Sequence, residues 1–236
     1  MALYCIADTH LSLSVPKPMD VFGSRWQGYT EKIIKGWNAV VSEKDTVVIP
    51  GDVSWGMTID EAAEDLNLIE SLNGKKYILK GNHDFWWQSH KKVNDFFEAN
   101  NIHSIDILHN NAFMCENKII CGSRGWFYDP KSSPENTDSE KIMAREVMRT
   151  EMSIKSAIEL RDSSDMEIIA FFHFPPVYRE YICRGIVDLL HKYGIKRCYY
   201  GHIHGNYQIP HKFSFEDIDM TIVSADYIKF VPFLIV

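Results

Sequence analysis

Two rhythms of apolar and polar positions run along the chain. Short runs rich in β-branched and aromatic residues, LYCIA at 3–7, TVVIP at 46–50, KYILK at 76–80, EIIAFF at 167–172 and RCYY at 197–200, have the length and composition of strands. Between the early runs, apolar residues recur every three or four positions, as on one face of a helix. Residues 30–41 bring Ile33, Ile34, Trp37 and Val41 to one side. Thr58-Ile-Asp-Glu61 is a capping-box pattern that opens a helix burying Ala62, Leu66, Ile69 and Leu72, and a third helix is predicted over 88–100. Strand, helix, strand, helix, strand is the βαβ alternation that builds a sheet with helices on both faces.

The second half departs from strict alternation. Two apolar runs between 113 and 122 flank Glu116-Asn117-Lys118 and read as a hairpin. A long helix is predicted over 138–162, started by Thr137-x-x-Glu140, with Met143, Val147, Ile154 and Ile158 on its apolar side. Residues 213–236 read as two or three more strands. The expected fold class is α/β, with mixed sheets that pack as a sandwich flanked by helices. A chain of 236 residues, 45% hydrophobic, buries a sizeable core, and one domain over 1–236 is the expectation. The irregular segments 12–26, with Pro16 and Pro18, and 123–136, with Pro130 and Pro134, are candidate rims of an active site.

Polar clusters stand where the apolar runs stop: Asp8-Thr9-His10, Gly51-Asp52, Gly81-Asn82-His83-Asp84, His173, and Gly201-His202-Ile203-His204. In a sheet of this kind the carboxyl ends of the strands share an edge, so residues distant in sequence converge there. Asp8 and His10, like His202 and His204, are spaced i and i+2, which in extended backbone places both side chains on one side. Taken singly, D-x-H and G-D are ordinary turn chemistry, and a lone His173 is a core histidine. The joint occurrence, each cluster at a strand end, is what turn chemistry explains poorly. The donors are two carboxylates, several imidazoles and one carboxamide, without sulfur, which suits Mn, Fe, Zn or Ni. They are too many for one tetrahedral ion and divide over two. His90, His103, His109, His191 and His211 lack this context and read as surface or structural.

The ordered series D-x-H, G-D, G-N-H-D, H, G-H-x-H resembles that of the calcineurin-like metallophosphoesterase superfamily, over most of the chain from Asp8 to His204. The resemblance implies an α/β/β/α sandwich and two divalent or trivalent transition-metal ions. One would be held by Asp8, His10 and His204, the other by Asn82, His173 and His202, with Asp52 bridging. His83 matches the family's non-ligand histidine and Asp84 its partner. The implied activity is hydrolysis of phosphomonoesters or phosphodiesters by a metal-bridging hydroxide, with His83 as general acid and Asp84 fixing its tautomer and favouring the imidazolium. Two departures narrow this. Protein phosphatases continue the second motif as Asp-Arg-Gly, whereas Val53-Ser54-Trp55-Gly56 follows here, and Trp55 stands where purple acid phosphatases carry a tyrosine ligand.

Arg124 is the candidate to contact a substrate phosphate in place of the missing arginine, since guanidinium binds phosphate bidentately; the alternative is a loop-pinning role. Trp86 and Trp87 either stack on a substrate or pack the following helix. The net charge of -7 disfavours long nucleic acids and anionic membranes as partners, but not a small phosphorylated substrate held by a local positive field. Five cysteines without a C-x-x-C pair read as reduced core residues, and no apolar run approaches the ~20 residues of a membrane span, so a cytoplasmic setting is expected. The competing readings are a non-catalytic metal-binding scaffold of the same fold and a nucleotide or nucleic-acid phosphodiesterase.

Overall fold

The apolar runs are unbroken because both faces of their strands are covered. A computed structural model describes residues 1–126, 138–162 and 165–236. In the first sheet β1 (Leu3–Cys5), β2 (Thr46–Ile49), β3 (Lys75–Ile78) and β4 (Ile105–Ile107) run parallel. The second is built on β5 (Phe113–Cys115), β6 (Lys118–Ser123) and β7 (Glu167–Phe172). After a small hairpin of β8 (Val177–Tyr178) and β9 (Tyr181–Ile182), the second sheet continues with β10 (Arg197–Tyr200), β11 (Lys212–Phe215) and β12 (Ile218–Ile222). Its order is β11-β12-β10-β7-β6-β5, parallel within and antiparallel at both edges. The last strand, β13 (Phe233–Ile235), returns antiparallel beside β1.

Register decides which residues meet between the sheets. Cys5, Val48 and Tyr77 lie side by side across the first sheet and join Ile120, Ile169, Phe171 and Tyr199 of the second in one buried layer. The alternate residues face outward. Val47 and Ile49 pack under α1 (Tyr29–Val40), α2 (Ala63–Ser71) and α3 (His90–Ala99) through Ile33, Trp37, Leu66, Ile69, Val93 and Phe97. On the other side Ile168, Ala170 and Phe172 pack under α4 (Ser139–Leu160) and α5 (Arg184–Lys192) through Ile154, Ala157, Ile186 and Leu190. The layers are α/β/β/α, as expected.

Several elements differ from the pattern reading. The Thr58 capping box forms, with Glu61 N donating to Thr58 Oγ1 at 3.2 Å and Met57 N to Glu61 Oε2 at 2.8 Å, but it closes a turn and the regular helix starts at Ala63. Along α4, Ile158 is exposed, whereas Glu146, Thr150 and Ser153 are buried. That helix meets a polar strand end: Gly122 N donates to Ser153 Oγ at 2.8 Å, and the Ser123 and Thr150 hydroxyls lie 2.8 Å apart. Thr137 and residues 127–136 of the expected loop lie outside the described residues. All five cysteines are buried free thiols, and among the described residues no helix is long and apolar enough to cross a membrane.

Candidate metal centre

Left-handed backbone at the strand ends, rather than extended backbone, brings the polar clusters together. Asp8, His10, Asp52 and His202 have φ of 57°, 45°, 53° and 68°, left-handed values uncommon for residues with a Cβ. This corrects the i, i+2 reasoning: the pairs converge, but through left-handed backbone at these residues and not through extended strand geometry. Hydrogen bonds hold these segments together, with Asp8 N donating to Gly51 O at 3.0 Å, His10 N to Asp52 O at 2.9 Å, and His202 N to both Asp8 carboxylate oxygens at 3.0 and 2.8 Å. Gly81 permits the closest approach, since a Cβ there would stand 2.0 Å from Asp52 Oδ1.

The donors gather around Asp52. Its Oδ1 accepts from His83 N at 2.8 Å. Its Oδ2 has no hydrogen-bond partner among the described residues and lies 3.6 Å from His10 Nε2 and 3.5 Å from His173 Nε2. Ligand atoms of Asp8, His10 and Asp52 all lie within 4.8 Å of one another. The imidazoles form two pairs, His10 with His204 and His173 with His202, each with ring centroids 5.2 Å apart. Asn82 Oδ1 stands 2.6 Å from His173 Nε2.

Protonation makes the case for cations. Burial drives His10 and His173 well below the ordinary histidine range and His202 down to about 3, so all three are neutral with a lone pair to offer. A neutral His173 has one ring proton but two oxygen neighbours, Pro50 O at 3.0 Å on Nδ1 and Asn82 Oδ1 on Nε2. With the proton on Pro50 O, the Nε2 lone pair, Asn82 Oδ1 and Asp52 Oδ2 all face one another without a positive charge. Both ring nitrogens of His10 also lack a partner among the described residues. Burial, with the charges of Asp226 and Asp84, raises Asp8, and burial, with those of Asp84 and Asp8, raises Asp52 far above the carboxylate range, a penalty that bound cations reverse. The residues fit transition-metal ions on both sides of Asp52.

Asp84 requires a correction. It does not orient the His83 ring. Its Oδ2 accepts from Asp52 N at 2.8 Å and Gly81 N at 2.7 Å, and its Oδ1 from Val53 N, Ser54 N and Trp86 Nε1 at 2.9, 3.3 and 2.9 Å. The carboxylate stitches the loop after β2 to the loop after β3. Asp84→Asn presents an NH2 group to at least two of these donors and is expected to cost about 3 kcal/mol, roughly 6–12 °C in melting temperature. An unchanged melting temperature in calorimetry would show that the bonds contribute nothing.

His83 is half-buried, its ring 4.5 Å from Trp55 and 5.6 Å from His10. Trp55, which the motif series marks only as standing in place of a tyrosine ligand, stacks on His10 at 4.8 Å and 21° and fixes that ring. Pattern reading missed Asp226, fully buried behind the last motif, whose Oδ2 accepts from Gly205 N at 2.9 Å and Tyr207 Oη at 2.8 Å; burial lowers His204 below the ordinary histidine range, and the Asp226 charge offsets part of that. A lone Asp in a C-terminal run carries no signal of either contact. Trp86 is fully buried with its N–H on Asp84, which excludes stacking on a substrate, and Trp87 packs against the same core. The Arg124 side chain is 22% exposed and faces buried Glu146 at 3.7 Å.

Residues 1–206 match the family described as calcineurin-like phosphoesterase. An uncharacterized Methanocaldococcus jannaschii protein is 34% identical over 83 residues, 35% of this chain and 46% of the relative, so the match spans about half the relative's length. Among solved structures, a protein of unknown function from Aquifex aeolicus superposes with TM-score 0.54 at 15% identity, covering 99% of this chain and 95% of that one. Another, from Thermus thermophilus, gives 0.59 at 10%, covering 95% and 89%. Phosphopantetheinyl hydrolase from Mycobacterium tuberculosis gives 0.56 at 13%, covering 100% and 95%. At these identities the structural likeness speaks to the fold.

Proposed function

The chain belongs to the calcineurin-like phosphoesterase family, and from that premise we propose that it is a dinuclear metal-dependent enzyme hydrolysing phosphomonoesters or phosphodiesters. The observation that carries this reading is Asp52 Oδ2, unpartnered among the described residues and between His10 at 3.6 Å and His173 at 3.5 Å. Asp8, His10 and His204 would hold one ion, Asn82, His173 and His202 the other, and Asp52 both. When bound, such a pair supplies the positive charge that draws in a phosphoryl group and the acidification that makes water a nucleophile at neutral pH.

The chain's own residues do the rest. Asp8 and Asp52 are the two carboxylates of the proposed ligand set, so two divalent ions keep net positive charge there within an acidic protein. His83, held between the rings of Trp55 and Phe85, is the group that would face the leaving oxygen. Burial, His204 and Lys17 hold it down to about 4; bound cations would lower it further and a negative phosphate within ~4–6 Å would raise it, so its acid role requires the substrate's charge to outweigh the metals'. His83 then passes its proton to the departing alkoxide. The cysteine thiols, all unpaired and buried, support work in a reducing compartment such as the cytoplasm.

The test is a panel of nitrophenyl monoesters, nitrophenyl diesters and nucleotides, assayed after metal removal and after reloading with Mn, Fe, Ni or Zn. Hydrolysis is expected only in reloaded protein. Metal-loaded protein inactive on every compound would favour a non-catalytic scaffold.

A further inference from the structure

A polar cavity of about 210 Å³ lies beside the proposed metal centre, walled by Lys80, His109, Arg124, Arg145, Glu146 and Arg149. Lys80 lies two residues before Asn82. The Arg124 carbonyl accepts from Phe174 N at 2.8 Å, next to His173, so the cavity stands on the Asn82–His173 side.

Its charges do not balance. Among the described residues, four cationic side chains and an imidazole line the cavity with one carboxylate, Glu146, which is 1% exposed. Glu146 Oε1 accepts from Arg149 Nη1 at 2.7 Å and lies 3.7 Å from Arg124 Nη2. Glu146 Oε2 and Arg124 Nε have no hydrogen-bond partner among the described residues. One buried acid therefore orients two guanidiniums but neutralises one charge. The cations also oppose one another, since Arg124 and Arg149 both disfavour the charged form of Lys80, and Arg149 and Lys80 that of His109. A structural ion pair needs one arginine. Held together and partly desolvated, the surplus costs free energy unless an anion shares the cavity.

Resting on the phosphoesterase reading above, we propose that this cavity binds a second phosphate group of the substrate, making the substrate class a phosphoester that carries another phosphate beyond the scissile one. Guanidiniums already aimed by Glu146 offer forked donors, and Lys80 adds a point charge toward the centre. Among the described residues the lining offers no ring but His109 to stack a base, and its guanidiniums favour charge over a nucleobase.

The first arm compares nitrophenyl phosphodiesters of simple alkanols with those of alkanols ending in a phosphate, on spacers of increasing length, using manganese-loaded full chain. At the matching length the terminal phosphate is expected to raise kcat/KM by about 10–100-fold, the worth of charge-assisted hydrogen bonds. Arg149→Gln and Arg145→Gln should each reduce that ratio. Arg145 is exposed, so its variant keeps the fold even if Arg149→Gln does not. The second arm titrates inorganic phosphate into metal-free protein by calorimetry, with one weak site expected and lost in both variants. No preference for the terminal phosphate at any spacer, with the plain diesters hydrolysed, would overturn the subsite. Absent hydrolysis with phosphate still bound would refute the phosphoesterase reading but keep an anion site, and absent phosphate binding would refute the cavity itself.

Discussion

Asp52→Asn is expected to empty both metal positions and to lower phosphoesterase activity by about a thousand-fold or more, since each ion supplies several kcal/mol of charge stabilisation. The amide keeps the shape and can still accept from His83 N, the 2.8 Å contact that Oδ1 makes now. It places a neutral NH2 group where Oδ2 stands between His10 and His173. The loss will not come from unfolding. Burial, Asp84 and Asp8 raise the Asp52 carboxyl, and a carboxyl raised in the folded state stabilises it only at pH values where it stays protonated. At neutral pH the metal-free variant should therefore melt no lower than metal-free wild type. Elemental analysis and calorimetry on the two proteins check both halves; full occupancy in the variant would remove Asp52 from the bridging role.

The second large effect falls on His83 and depends on the leaving group. His83→Gln retains the backbone N–H that holds Asp52 and removes only the ring. Turnover of alkyl phosphoesters, whose alkoxides leave poorly unless protonated, is expected to fall by about 10²–10⁴-fold. Nitrophenyl esters, whose phenolate departs with little help, should lose far less. Comparing kcat on a matched alkyl and nitrophenyl pair makes the distinction, and equal losses would mark His83 as structural. Asp84 is no longer needed in this scheme, because its oxygens are engaged by N–H donors from Gly81, Asp52, Val53, Ser54 and Trp86.

The strand-end clusters were legible in the sequence because they interrupt apolar runs that the sandwich buries on both faces. Periodicity found the helices packed on the first sheet for the same reason. It failed along α4, where Ile158 faces solvent and Glu146 is buried, because the neighbouring strand end presents Gly122 N and Ser123 Oγ and so selects hydroxyl partners. It also passed over α5 and β4. In the site, residue types marked the donors, but the left-handed turns that aim Asp8, His10 and His202 left no trace in the spacing. The work of Asp84 was invisible because its partners are mostly backbone N–H groups, which every residue but proline carries. The same holds for the cavity beside the metals: Lys80, His109, Arg124 and Arg149 come from four separate segments, and only the packing of α4 on the second sheet assembles them.

A metal count joined to location of the ions by anomalous diffraction tests the two-ion centre most directly. The account predicts two ions per chain within about 4 Å of each other, flanking Asp52 Oδ2, one against His10 and His204 and the other against Asn82, His173 and His202. A single ion, or two that leave Asn82 Oδ1 on His173 and Asp52 on one side only, would contradict it.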